Sequence, residues 1–215
     1  MNRIRVAAIA GAGLVSAAAV VSLPVATQAA AQPCSDVEVV FARGTNEPPG
    51  VGIVGQAFVD ALSSQVGGRS VGVYAVNYPA SDNYLSSAAN GSDDARAHIQ
   101  DVAAGCPNTK VVLGGYSQGA AVTDMATAAM PPQIADRVAA VALFGTPSSA
   151  FSSMLAGGEQ LPTTSPAYAA KTIDLCMDGD PICSPGANML AHVSYVQSGM
   201  ADQAASFAAT KVDQH

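Results

Sequence analysis

"KVVLGGYSQGAAV", residues 110–122, passes from a β-branched run through two glycines and a serine into alanines and a valine. Val111, Val112 and Leu113 read as a buried strand, and the small residues from Gly119 onward read as a helix. Between them Gly115, Ser117 and Gly119 have the spacing G-x-S-x-G. A serine hydroxyl becomes a nucleophile only when an adjacent base takes its proton and the backbone projects it where a carbonyl can approach. A sharp strand-to-helix elbow does this if the two crowded positions beside it lack side chains, as Gly115 and Gly119 do. The same residues also fit a turn serine that caps the following helix. The choice depends on whether the chain supplies a base, an orienting acid and an oxyanion hole.

Outward from the elbow, strand and helix patterns alternate. Residues 36–42 (DVEVVFA) read as a strand, 54–66 as a helix with Val54, Ala57, Phe58, Ala61 and Leu62 on one face, and 71–78 as a strand. Residues 93–106 read as a helix with Asn90, Ser92 and Asp93 as candidate caps, followed by the 110–116 strand, the 119–130 helix and a buried strand over 138–145. A weaker strand covers 168–176 and an amphipathic helix 199–212. This order predicts an α/β protein, a doubly wound, mostly parallel sheet with helices on both faces. In such sheets the site lies at the carboxyl ends of the strands. The loops at 44–50, 114–119 and 178–192 each follow a strand, so they converge on that edge.

The chain opens with Arg3 and Arg5, then an Ala/Val/Leu-rich run, Pro24 and Ala29-Ala30-Ala31. That is the pattern of a secretory signal peptide over residues 1–31, leaving one domain over 32–215. An uncleaved anchor is the rival reading, since the run from Val6 to Val25 has the length of a span. Without Arg3 and Arg5, seven basic residues face sixteen acidic ones, a net charge of −9. An acidic chain without a Lys/Arg cluster does not suit nucleic acid or an anionic membrane as its main partner. Four cysteines in an exported chain read as two disulfides, for which three pairings exist. The turn-rich loop between Cys176 and Cys183 favours that pair, leaving Cys34 with Cys106. By loop entropy the long and short bridges stabilise by about 4 and about 2.5 kcal/mol. A four-cysteine metal site would call for C-x-x-C pairs, and there are none.

The chain has three histidines. His98 lies inside a helical pattern with Asp94 one turn earlier and reads as exposed, and His215 is the last residue. His192, in "AHVSYV", follows the last strand and is the candidate base. Between Ser117 and His192, "CMDGDPIC" (176–183) offers Asp178 and Asp180 as the acid that would fix the imidazole tautomer. The residues alone do not choose between them. For the oxyanion hole, the backbone N–H of Gln118 follows the nucleophile, and Thr45 in "FARGTNEPPG" (41–50) leaves the first strand with an N–H and a hydroxyl to offer.

"FARGTNEPPGVG", "GGYSQGAAV", "CMDGDPIC" and "AHVSYV", in that order and together with the four cysteines, resemble the cutinase family of serine esterases, most closely the cutinase-like proteins secreted by mycobacteria and their relatives. The resemblance spans nearly all of residues 34–200. It implies a three-layer, five-stranded α/β-hydrolase without a lid domain, and disulfides Cys34–Cys106 and Cys176–Cys183. It implies Ser117 as nucleophile, His192 as base and, from the pattern C-x-x-G-D-x-x-C, Asp180 as the acid. Thr45 stands where many fungal members carry serine, and Asp178 is an additional acid beside the loop.

Such a chain is expected to be a secreted monomer that needs no metal or organic cofactor and hydrolyses short- to medium-chain carboxylic esters, polyesters or lipids included. With no cap domain, the mouth is expected to be built by 81–87 and 184–190, with Tyr84, Leu85, Pro185, Met189 and Leu190 against an acyl chain. Leu85 and Leu190 serve equally well as core anchors for their loops. Two further readings share the motifs: an acyltransferase acting on cell-envelope lipids, and a catalytically silent surface or lipid-binding protein that keeps the fold.

Overall fold

Successive residues of a strand point to opposite faces of its sheet. In β1 (Val37–Ala42) the side chains of Val37, Val39 and Phe41 enter one apolar cluster while Val40 and Ala42 enter another. Both faces are therefore covered, which explains the nearly unbroken apolar run. The computed structural model describes residues 33–215; the expected signal peptide, residues 1–31, lies outside the described residues.

Five strands form one parallel sheet in the order β2-β1-β3-β4-β5, with β2 at Val71–Ala75, β3 at Lys110–Tyr116, β4 at Val138–Phe144 and β5 at Thr172–Leu175. On one face lie α1 (Gly52–Gln65) and α7 (Met200–Gln214). Helix α1 buries Val54, Phe58 and Leu62 at four-residue spacing, and α7 buries Ala201, Ala204, Ala205 and Ala208. Those alanines let α7 approach the sheet closely, and Phe41, Phe58 and Phe144 fill the remaining space with ring centroids 6.0–6.2 Å apart. The opposite face carries α2 (Tyr84–Gly105) and α3 (Gln118–Ala129) over Val40, Val111, Leu113, Val141 and Leu143. This is the expected doubly wound α/β architecture. Both expected disulfides are formed, Cys34–Cys106 and Cys176–Cys183.

Several local expectations need correction. Helix α2 begins at Tyr84 rather than residue 93, so Asn90, Ser92 and Asp93 lie within it and cap nothing. The Ser/Asn/Gly-rich stretch 84–92 has weak helix propensity, and packing overrides it. Gly91 sits where a Cβ would come within 2.8 Å of the Val122 side chain, so the backbone of α2 packs directly on that side chain of α3. Strand β2 ends at Ala75 and not at residue 78: Tyr78 turns inward, its hydroxyl donating to the carbonyl of Arg43. Strand β5 begins at Thr172, because Pro166–Lys171 forms a 3₁₀ turn that buries Tyr168. Short helices α4 (Pro132–Ala135), α5 (Ala150–Leu155) and α6 (Met189–His192) stand where no element was expected. His98 is half-buried, stacked on Tyr74 at 3.6 Å and hydrogen-bonded to Glu38 at 3.1 Å, and so is not the exposed residue its helix position suggested.

The elbow between β3 and α3 is set by backbone contact. Ser117 has φ +55° and ψ −118°, a region that residues with side chains rarely occupy. A Cβ on Gly115 would lie 2.1 Å from the carbonyl oxygen of Gly119, and one on Gly119 would lie 1.9 Å from that of Ala42. Both partners are main-chain atoms with no rotamer to yield. Gly119→Ala should therefore lower stability by about 3 kcal/mol or more. Urea denaturation reads this directly, and an unchanged midpoint would contradict the close approach.

Asp124 of α3 is 3% exposed, and its carboxyl accepts the Thr164 hydroxyl. Burial pushes it up to about 7 from an ordinary value near 3.8, against the pull of the Thr164 bond, and Asp174 adds to the rise. The folded state thus binds this proton more tightly than the unfolded chain. The associated stability is fully present below about pH 4 and is lost as pH rises through about 7. Asp124→Asn should remove a decline on the order of 4 kcal/mol at most between those limits. Melts of both proteins from pH 4 to 8 test it, with parallel pH profiles as the refuting result.

Candidate active site

At the carboxyl edge of the sheet, three sequence-distant segments meet. Ser117 Oγ lies 3.0 Å from His192 Nε2, and His192 Nδ1 lies 2.8 Å from Asp180 Oδ2. With Nδ1 protonated, as the facing carboxylate requires, Nε2 is left to accept from the serine hydroxyl. All three are buried, Asp180 completely, yet Ser117 and His192 both reach the floor of an open cavity of about 710 Å³.

Each member is fixed by its element. Ser117 hangs from the elbow, where its N–H donates to the carbonyl of Phe144 at 2.9 Å. Asp180 sits in the loop closed by Cys176–Cys183, and its Oδ1 accepts the Ile182 N–H at 2.9 Å. Asp178, the neighbouring candidate, is exposed and outside this chain of contacts. His192 ends α6, a single helical turn whose Asn188 side chain accepts the Leu190 N–H. The Tyr116 ring stacks on the imidazole with centroids 5.0 Å apart, and its hydroxyl donates to the His192 carbonyl at 2.6 Å. Burial, with Glu47 and Asp180 nearby, raises the Tyr116 phenol well above its usual range, so it remains a donor.

Thr45 lines the same cavity, and Gln118 opens α3, where a backbone N–H has no partner within the helix. The loop that carries Thr45 is braced from behind. Arg43, 5% exposed, donates from Nε to the Glu47 carbonyl and from a terminal nitrogen to that of Tyr78, both at 2.8 Å. The Glu47 carboxylate takes the N–H groups of Gly44 at 2.6 Å and Ile53 at 2.8 Å. The Gln118 side chain is fully buried: Ser87 Oγ donates to its Oε1 at 3.0 Å, and its Nε2 donates to the Ser81 carbonyl at 2.9 Å.

Of the residues expected at the mouth, Tyr84 and Met189 line the cavity and Leu85, Leu190 and Pro185 do not. Leu85 packs toward Tyr84, Ala121 and Ala156, the anchoring role that its sequence equally allowed, while Leu190 is 75% exposed on α6. Phe151 and Leu155 of α5, Ile53, Val193 and Val196 complete much of an apolar wall. Sequence reading missed α5 because its six residues, Ala150–Leu155, make barely two turns, too short for helical spacing to stand out. Among the described residues, no group of three His, Cys, Asp or Glu is arranged to hold a metal, and no helix is long and apolar enough to cross a membrane.

Comparison with known proteins places the fold. The family model described as Cutinase matches residues 33–212. The chain is 65% identical over 206 residues to a protein named Carboxylesterase Culp1 of Mycobacterium tuberculosis, covering 95% of each chain. It is 49% identical to Phospholipase Culp4 of the same organism, covering 92% of this chain and 88% of the relative. Among solved structures, Trichoderma reesei cutinase bound to a phosphonate inhibitor superposes with a TM-score of 0.69 at 39% identity, over 84% of this chain and 78% of that one. An acetylxylan esterase gives 0.72 at 26% identity, over 84% of this chain and all of the other. The chain belongs to the cutinase family.

Proposed function

We propose that this chain is a secreted serine esterase that hydrolyses short- to medium-chain carboxylic esters, lipids or polyesters included, through an acyl-enzyme on Ser117. The observation that carries this reading is the continuous contact from Ser117 to His192 to Asp180, at 3.0 and 2.8 Å, on the floor of an apolar cavity. The curated relative named a carboxylesterase, at 65% identity, supports it.

In the first half-reaction Ser117 Oγ attacks the ester carbonyl as His192 Nε2 takes its proton, and the imidazolium is stabilised by Asp180. Negative charge develops on the carbonyl oxygen, toward which the Gln118 N–H and the Thr45 N–H and hydroxyl are assigned. Collapse breaks the ester C–O bond, and His192 returns the proton to the departing alcohol. Water then attacks the acyl-serine with His192 again as base, releasing the carboxylic acid and restoring Ser117.

The surroundings suit an apolar acyl group. Ile53, Phe151, Met154, Leu155, Met189, Leu190 and Val193, seven of the eight large apolar side chains exposed among the described residues, stand on α1, α5, α6 and the residue after α6, which border the cavity. Isolated exposed apolar residues are ordinary, but five of these seven, Ile53, Phe151, Leu155, Met189 and Val193, line the one cavity, which marks a binding surface. Two disulfides fit an oxidising destination, in keeping with residues 1–31 as a cleaved leader and 32–215 as the mature domain.

Ser117→Ala should lower turnover of p-nitrophenyl butyrate by about 10⁴-fold or more with an unchanged melting temperature. Equal rates would overturn the mechanism, and a long-chain optimum across an ester series would overturn the substrate range. Thr45→Val keeps the shape and deletes the hydroxyl, so kcat should fall by about 100-fold with little change in KM. A kcat within twofold of wild type would remove that hydroxyl from the oxyanion hole.

A further inference from the structure

Asp180 Oδ2 receives a second donor from outside the three residues already assigned. Tyr195 Oη lies 2.7 Å from it, as close as His192 Nδ1 at 2.8 Å. Tyr195 is fully buried, and its hydroxyl accepts the Met177 N–H at 3.2 Å. One hydroxyl carries one proton; the Met177 N–H takes one of its lone pairs, and of the acceptors within reach the Asp180 carboxylate at 2.7 Å is closer and stronger than the disulfide sulfur of Cys183 at 3.5 Å. The ring is clamped edge-on against Tyr116, Phe144 and His192, with centroids 5.8–6.3 Å away. Gly145, at φ +63°, leaves room for it, since a Cβ there would come within 3.0 Å of Tyr195 Oη and 3.1 Å of His192 Cε1.

We propose that Tyr195 is a positioning residue of this site: its hydroxyl shares Oδ2 of Asp180 with the imidazole, and so limits how strongly the carboxylate pulls a proton onto His192. The inference rests on the assignment of His192 as base. A buried carboxylate favours the charged imidazolium beside it, and a second donor on the same oxygen weakens that preference. A second charge-assisted hydrogen bond on the same oxygen spreads the negative charge and fixes the carboxylate plane. Burial, then the bond to Asp180, raises the Tyr195 phenol far above its usual range, so the group stays a donor while the enzyme works. The other titratable groups facing His192 are Ser117 and Tyr116 from the elbow, with Glu47, Asp82 and Tyr84 across the cavity. Among the described residues, none of these hydrogen-bonds to Asp180 Oδ2, whose partners are His192 and Tyr195.

Tyr195→Phe tests this while keeping the ring. Histidine NMR on a protein with three histidines reads the titration of His192 without any reaction. In the variant that titration should move up by about half to one pH unit, with His98 and His215 unmoved, and the acid limb of kcat/KM should follow it. KM should stay within twofold while kcat at pH 7 falls by about threefold to tenfold. An unmoved His192 titration in a folded variant overturns the proposal and reduces Tyr195 to packing. If the phenylalanine variant does not fold, 3-fluorotyrosine at position 195 supplies a stronger donor of nearly the same shape. The titration must then move down, and no movement refutes the proposal. Failure of the esterase reading has its own signature, wild-type protein that a phosphonate does not label at Ser117, whatever His192 does.

Discussion

The backbone contact between Gly119 and the carbonyl of Ala42 is the constraint around which the site is organised. It brings the first turn of α3 against the end of β1, closer than any side chain would allow. Ser117 is thereby forced to φ +55°, and its side chain leaves the sheet edge instead of lying along the helix. The loop after β1 begins one residue beyond that contact, so Thr45 and Ser117 line the same cavity without a long connection. A methyl group at position 119 would separate the end of β1, with the Thr45 loop that follows it, from the elbow that carries Ser117 and Gln118.

The other half of the site follows a different principle. Asp180 and His192 come from the region after β5, where the chain has little regular structure of its own, and irregular loops hold catalytic geometry poorly unless tied. The ties are the Cys176–Cys183 bridge, the Asn188 cap on α6, the Tyr116 bond to the His192 carbonyl and the Tyr195 bond to Asp180. Two of these four come from tyrosines with fully or nearly buried rings. Tyrosine suits this work because its ring packs as a core residue while its hydroxyl delivers one directed hydrogen bond.

This division explains what could be read from the sequence. The parallel sheet was legible because strands buried on both faces write continuous apolar runs, as Val138–Phe144 does. The elbow was legible because glycine is the only solution at positions 115 and 119, and the histidine because the chain has so few. The start of α2 was not, since Tyr84 to Ser92 forms helix only through its contact with α3, and no local pattern encodes a partner. Nor was Tyr195 legible as more than a core aromatic: its meaning depends on the 2.7 Å to an oxygen fifteen residues away. The Gln118 side chain escaped for the same reason, because its partners, the Ser81 carbonyl and the Ser87 hydroxyl, lie in a distant segment, and Glu47 escaped because its partners are backbone N–H groups.

Three non-glycine residues among those described have positive φ, namely Asn46, Ala80 and Ser117; Ser117 lines the cavity, and Asn46 follows Thr45, which lines it too. The N–H of Asn46 donates to the carbonyl of Ala80 at 2.7 Å, so two of the strained residues hold each other. Each such conformation costs about 1–3 kcal/mol and persists only where the surroundings over-determine it. Here the surroundings are the Arg43 fork on the carbonyls of Glu47 and Tyr78, the Glu47 carboxylate on two N–H groups, and the Gln118 amide between Ser81 and Ser87. These polar side chains are buried or half-buried and fully engaged, with no free donor or acceptor facing the apolar wall. Their work is to hold backbone in place beside the cavity that Ser117 and His192 reach. The chemistry therefore depends on a frame of buried and half-buried hydrogen bonds, and the strained backbone at Asn46, Ala80 and Ser117 is the measure of what that frame must oppose.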